Sequence, residues 1–129
     1  MSDDGRTTGF PNPTSDHSES SLDLHRYAMR HPEATFFWTA DGDAMQGAGI
    51  FHGDILVVDR LVEARLGDVV VAWVGQDYLV RRLGTSDSHV ALLPEHPDFV
   101  TIVFAEAEEC EVWGVVTYVL HDPNQRGRR

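Results

Sequence analysis

Short runs of aliphatic, β-branched and aromatic residues recur along this chain and are separated by glycine, proline or aspartate. Such residues favour strands, and runs this short leave little room for helices between them. Gly-Asp pairs at 42–43, 53–54 and 67–68 mark the breaks, and Gly75-Gln76 has the length of a two-residue hairpin turn. The pattern predicts a compact, mainly β domain of mostly antiparallel strands. We predict strands over residues 34–40, 54–59, 68–74, 77–83, 88–94 and 110–119.

The chain before these runs has a different composition. Residues 5–16 contain two prolines, two glycines and one large apolar side chain, Phe10, so we expect residues 1–21 to form a flexible N-terminal arm. One short helix is predicted over about residues 22–30, capped by Ser20 or Ser21 and ended by Pro32. The domain would then span residues 22–121, followed by a basic C-terminal tail over residues 122–129.

Composition excludes several classes of function. The net charge of −11 at pH 7 disfavours direct binding to nucleic-acid phosphates. No stretch reaches the roughly 18 apolar residues of a membrane span, and the acidic first residues do not resemble a secretory signal. The single cysteine, Cys110, suits a reducing cytoplasm. The seven histidines show no metal-ligand spacing, so no metal or other cofactor is predicted.

Several short motifs follow one another in an order and spacing typical of a known family. They are Gly42-Asp43-Ala44-Met45, the run from Gly49 to Asp59, the run from Gly67 to Ala72, and Tyr78-Leu79-Val80-Arg81-Arg82-Leu83. Together they resemble the peptidase domain of the LexA/UmuD family of self-cleaving serine peptidases, and the UmuD branch most closely. The resemblance runs from about residue 9 to residue 119 and implies the compact, mainly antiparallel fold of that family.

The resemblance also implies which positions held the catalytic groups. In this family the third residue of the Gly-Asp-x-Met turn is a serine nucleophile, and a lysine on the later strand is its base. Here these positions are Ala44 and Arg81, and the chain contains no lysine. Alanine has no hydroxyl, and a guanidinium stays protonated at physiological pH, so neither half of the dyad can act. A deliberate serine-to-alanine substitution would explain Ala44 but not Arg81.

We therefore expect a pseudo-peptidase with no intact catalytic residue. Its vestigial cleavage site would be Thr8-Gly9, with only eight residues before Gly9, so the chain would correspond to the processed, active form. Strand periodicity places Leu79, Arg81 and Leu83 on one face, which would point Arg81 into the old cleft beside Gly42, Asp43 and Met45. A desolvated arginine needs a partner, and Asp43 or a cluster of backbone carbonyls is predicted to supply it.

By resemblance, the protein is expected to be a non-catalytic, UmuD′-like accessory subunit of an error-prone translesion polymerase in the DNA-damage (SOS) response. It would be a cytoplasmic homodimer, or a heterodimer with an intact UmuD, that joins a UmuC-like lesion-bypass DNA polymerase and the RecA filament. The dimer would form near the apolar run Val112–Val119.

Two alternatives stay open. One is a self-cleaving serine peptidase of the UmuD/LexA family, represented by an inactivated variant. The other is the dimerising half of a LexA-like or phage repressor, which needs an upstream DNA-binding helical domain. The 21 mostly polar residues before the predicted domain are too few to form one.

Overall fold

The computed structural model describes residues 23–124. The predicted arm, the predicted caps Ser20 and Ser21, the Thr8-Gly9 bond and residues 125–129 of the tail lie outside this range. The described strands form one seven-stranded sheet in the order β1-β2-β7-β3-β4-β5-β6, in which every pairing is antiparallel. The elements are helix α1 (Leu24–Ala28), strands β1 (Thr35–Thr39), β2 (Ile55–Asp59), β3 (Val69–Val74), β4 (Asp77–Ser86), β5 (His89–Leu93), β6 (Ile102–Val103) and β7 (Glu111–Leu120), and 3₁₀ turns at Pro32–Ala34, Gln46–Ala48 and Ala107–Glu109.

Over the described residues, the predicted mainly antiparallel fold with one short helix is confirmed. All six predicted strands are present, and Val74 pairs with Asp77 across the Gly75-Gln76 turn, where Gly75 has a φ of 62°. β4 continues past its predicted end at Leu83 because residues 82–86 pair with β5. The strand that was not predicted, β6, has two residues and is held by pairing with β5. A run that short carries no periodicity to read.

Helix α1 is shorter than predicted and begins later. Its N-cap is Asp23, whose Oδ1 accepts a hydrogen bond from the backbone N–H of Arg26 at 3.3 Å. Asp23 therefore caps the described helix, whereas the predicted caps Ser20 and Ser21 lie outside the described residues.

Two apolar clusters lie on opposite faces of the central strands. Successive residues of β3 alternate between them, with Val71 in the first cluster and Val70 and Ala72 in the second, as the two-residue period of a strand requires. The first cluster also contains residues from the loop that follows β1. Its buried members are Ala40, Met45, Ile50, Leu56, Val58 and Val71. The core therefore anchors the loop that carries the Gly42–Met45 motif.

The run Val112–Val119 forms most of β7. Residues 111–115 of this strand pair with β3, whereas residues 115–120 pair with β2. Among the described residues, each half of β7 thus keeps one edge that no other strand covers. A dimer contact through this strand stays a prediction, and the edge beside residues 116–120 is where it could form.

Buried aspartates lie at both ends of β2. Asp59, its last residue, accepts hydrogen bonds from His31 Nδ1 at 2.7 Å and from the Leu61 N–H at 2.8 Å. Asp54, just before the strand, accepts a hydrogen bond from His121 Nδ1 at 2.7 Å. These pairs attach the segment entering β1 and the segment leaving β7 to the two ends of β2.

Asp59 makes stability depend on pH. Burial raises the pKa of its carboxyl, but hydrogen bonds from His31, Leu61 and Val62 outweigh this effect and hold the pKa below its usual value. A carboxyl of this kind stabilises the fold above its unfolded-state pKa of about 4, and the contribution is lost as pH falls through the folded-state pKa. We expect Asp59→Asn to lower the free energy of unfolding at pH 7 by about 1–3 kcal/mol, and by less at pH 3.

Urea unfolding at the two pH values tests this expectation. The control is Asp98→Asn, which changes an exposed carboxyl and should have little effect at either pH. An equal loss of stability at pH 7 and pH 3 for Asp59→Asn would contradict the assignment.

Candidate functional site

A cavity of about 510 Å³ opens between the end of β1, the loop after β1 and the first half of β4. Met45, Ile50 and Val71, all buried in the first apolar cluster, line its inner side. Its other walls are formed by residues 38–42, Ala44, residues 77–81 and Phe99. Trp38 and Tyr78, on β1 and β4, touch each other there with ring centroids 4.9 Å apart.

The Gly42–Met45 turn presents Ala44 to this cavity. Gly42 has a φ of 88°, a conformation that favours glycine, and its N–H donates to His52 Nδ1 at 2.9 Å. Ala44 is buried, and its carbonyl accepts a hydrogen bond from the Glu95 N–H at 2.7 Å. The turn is thus fixed on both sides of Ala44, and the side chain it offers to the cavity is a methyl group.

Glu95, which sequence reasoning missed, connects this turn to β4. Its carbonyl accepts from the Gly47 N–H at 2.9 Å, and its carboxylate accepts from Arg82 Nε. A Cβ atom at Gly47 would lie 2.9 Å from the Glu95 carbonyl oxygen, so glycine is needed at that position. Arg82 also donates to the Gly67 carbonyl at 2.7 Å and is therefore structural. No local signal in the sequence marks Glu95, because its partners are distant along the chain.

Arg81 lines the same cavity as Ala44. Its guanidinium is not free in solvent: Nη1 donates to the Val80 carbonyl at 2.8 Å, and the guanidinium carbon lies 5.5 Å from the centre of the Phe99 ring. Burial lowers the pKa of Arg81, because a desolvated site disfavours the charged form. The side chain thus lies at the wall of the cavity.

The partner of Arg81 differs from the prediction. Of the two predicted alternatives, a backbone carbonyl is the one present, and it is a single carbonyl rather than a cluster. Among the described residues no hydrogen bond or ion pair joins Arg81 to Asp43, and the Arg81 Nε is buried without a hydrogen-bond partner. A donor in this state is destabilising, so the guanidinium has unused capacity to bind an acceptor.

Strand periodicity alone did not predict how Arg81 comes to line the cavity. Leu83 lies in the second apolar cluster, on the far side from the cavity, whereas five consecutive residues of β4, 77–81, line the cavity. Five consecutive residues can do so only if the strand presents its edge, since alternate side chains point to opposite faces. The assignment of Ala44 and Arg81 as vestigial catalytic positions, with Gly42, Asp43 and Met45 as their neighbours, stays a prediction.

Two classes of site receive no support from residues 23–124. No group of three or more histidine, cysteine, aspartate or glutamate side chains in this range is placed to hold a metal ion. No helix within the same range is long and apolar enough to cross a bilayer.

Comparison with known proteins places the chain in a family. Residues 5–117 match the Peptidase S24-like family. The chain is 41% identical to protein SamA of Salmonella typhimurium over 113 residues, which cover 88% of this chain and 78% of SamA. It is 39% identical to protein MucA of Escherichia coli over 115 residues, with the same coverage of both chains. It is also 45% identical over 74 residues to the LexA repressor of Bordetella pertussis, a match that covers 57% of this chain and 34% of the repressor. The chain therefore belongs to the Peptidase S24-like family and is a relative of SamA and MucA in its UmuD branch.

Proposed function

We propose that this protein is a non-catalytic, UmuD′-like accessory subunit of an error-prone translesion polymerase that acts in the SOS response. One observation carries the proposal. Ala44 and Arg81, the proposed nucleophile and base positions of the family motifs, line a single cavity, yet alanine has no hydroxyl and a protonated guanidinium cannot accept a proton from one. Under this proposal, the protein keeps the cavity but has no group that could cut a peptide bond.

A protein of this kind works by binding. Its proposed partners are a second copy of itself or an intact UmuD, a UmuC-like lesion-bypass polymerase, and the RecA filament, all in the cytoplasm. The net charge of −11 supports contact with DNA through these partners rather than through this chain.

A second candidate is a self-cleaving peptidase represented by an inactivated variant. The intact geometry of the Gly42–Met45 turn favours it, because the left-handed glycine and the buried methionine still hold position 44 at the cavity. It leaves Arg81 unexplained, and restoring the nucleophile alone distinguishes it from the first proposal.

Co-purification tests the proposed function. We expect the full chain, co-expressed with a UmuC-type polymerase from the same genome, to elute as a dimer and to remain bound to the polymerase. A polymerase of an unrelated family serves as the control and should not be retained. A stable monomer that binds neither the UmuC-type polymerase nor the RecA filament would rule the proposal out.

A further inference from the structure

Among the described residues, part of β4 has a backbone edge inside the cavity that pairs with no other strand. Residues 77–82 pair with β3 on one side, but pairing with β5 on the other side begins only at Arg82. No other described backbone group bonds to residues 77–81 on that second side. Within residues 23–124, the first half of β4 is therefore an open strand edge that lies along a cavity.

The hairpin fixes which groups face outward. Val74 and Asp77 are partners across a two-residue turn, a geometry in which the two residues exchange hydrogen bonds. Hydrogen-bonded pairs alternate with non-bonded pairs along an antiparallel ladder. Tyr78 and Val80 are then non-bonded positions, and their N–H and C=O groups point away from β3. The bond from Arg81 Nη1 to the Val80 carbonyl agrees with this register, because the arginine occupies an acceptor that an added strand would use.

Charged side chains lie at the two ends of this edge. Arg81, with its buried and unpartnered Nε, lies at one end, and the exposed carboxylate of Asp77 lies at the other. The two residues are four positions apart, which is about 13 Å along a strand. The inner wall between them is apolar. The remaining carboxylate on the cavity wall, Asp41, lies 3.6 Å from His52 Nδ1.

We propose that this groove binds an extended segment of a partner protein as an additional β-strand, with an acidic side chain on Arg81. The segment would run antiparallel to β4, in line with β5, and donate a backbone N–H to the Val80 carbonyl. Arg81 would release that carbonyl and turn Nε and a terminal nitrogen to the carboxylate, a two-bond geometry that arginine favours.

The charges of Arg81 and Asp77 at the two ends of the edge determine where the bound segment would carry charged residues. In an antiparallel strand, the acidic residue opposite Arg81 comes first, and a basic residue opposite Asp77 follows four positions later, with alternating apolar residues between them. This proposal adds the chemistry of a partner segment to the proposed function. It depends on that function only because the groove needs a partner protein to bind.

Capped peptides test the proposal without a polymerase, so its failure is separable from failure of the proposed function. The probe is Ac-Thr-Glu-Val-Thr-Val-Lys-Thr-NH2, titrated into the ¹⁵N-labelled full chain and followed by amide chemical shifts. The largest shifts are expected at the Tyr78 and Val80 amides. A peptide with glutamine in place of glutamate should bind about tenfold more weakly, because it loses the charge-assisted bonds.

Substitutions in the protein supply the matched comparison. Arg81→Gln should abolish the difference between the glutamate and glutamine peptides, whereas Arg65→Gln, which removes an exposed arginine elsewhere, should keep it. The peptide comparison on the unaltered chain holds even if Arg81→Gln fails to fold. Equal affinity for the two peptides, shifts confined to other strands, or no binding at millimolar peptide would each overturn the proposal.

Discussion

The Ala44→Ser, Arg81→Lys double variant is expected to cut its own backbone between Thr8 and Gly9, whereas the unaltered chain and both single variants stay intact. Serine supplies the missing hydroxyl, and lysine supplies a base that can lose its proton. The burial that lowers the pKa of Arg81 would act on a lysine in the same place, favouring the neutral amine that the reaction needs. General-base catalysis contributes roughly 10²–10⁴-fold, so the double variant should exceed Ala44→Ser by about that factor.

Mass spectrometry of the purified variants, incubated between about pH 7 and pH 10, measures this difference. The two single variants are the controls, since each restores one half of the dyad. Cleavage by Ala44→Ser alone would favour the inactivated-variant alternative and count against the pseudo-peptidase. An inert double variant would mean that the cavity no longer aligns positions 44 and 81 for proton transfer.

The second large effect is expected on stability. Leu56, in the middle of β2, is fully buried in the first apolar cluster, with 0% of its surface exposed. Leu56→Ala removes its side-chain contacts and leaves a cavity, and such changes lower the free energy of unfolding by about 2–5 kcal/mol. The same cluster contains Met45, so this variant should also loosen the turn that carries Ala44.

Urea unfolding, followed by tryptophan fluorescence, gives the free energies to compare. The matched control is Leu61→Ala, the same chemical change at a leucine that is 59% exposed, for which we expect a shift within about 0.5 kcal/mol. Similar losses for the two variants would contradict the location of the core.

Most of the strands could be predicted because their signals are local. β-branched and aromatic runs bounded by Gly-Asp pairs locate β2 and β3, and a two-residue turn locates the hairpin between β3 and β4. β6 was missed because pairing with β5, rather than its own two residues, makes it a strand. The end of β4 was set too early for the same reason, since residues 82–86 are extended by pairing with β5.

The residues of the candidate site also divide into those that local sequence signals identified and those that they missed. Motif order identified Ala44 and Arg81 as a pair, and their shared cavity agrees with that pairing. The support from Glu95 and Arg82 was missed, and of the two predicted partners of Arg81, Asp43 or backbone carbonyls, the contact present is with one backbone carbonyl. These contacts depend on how the loop after β1 meets the loop after β5, which no spacing within either segment reveals.

The sequence by itself determined the strand composition, the absence of lysine and the choice of Ala44 and Arg81 as candidate positions, because each depends on residue type and on neighbours close along the chain. Only the tertiary structure decided that β4 offers the cavity an open edge and that Arg81 keeps a buried, unpartnered nitrogen. Both features arise where β5 leaves β4 at Arg82, and the point at which two strands part depends on packing between segments distant in sequence.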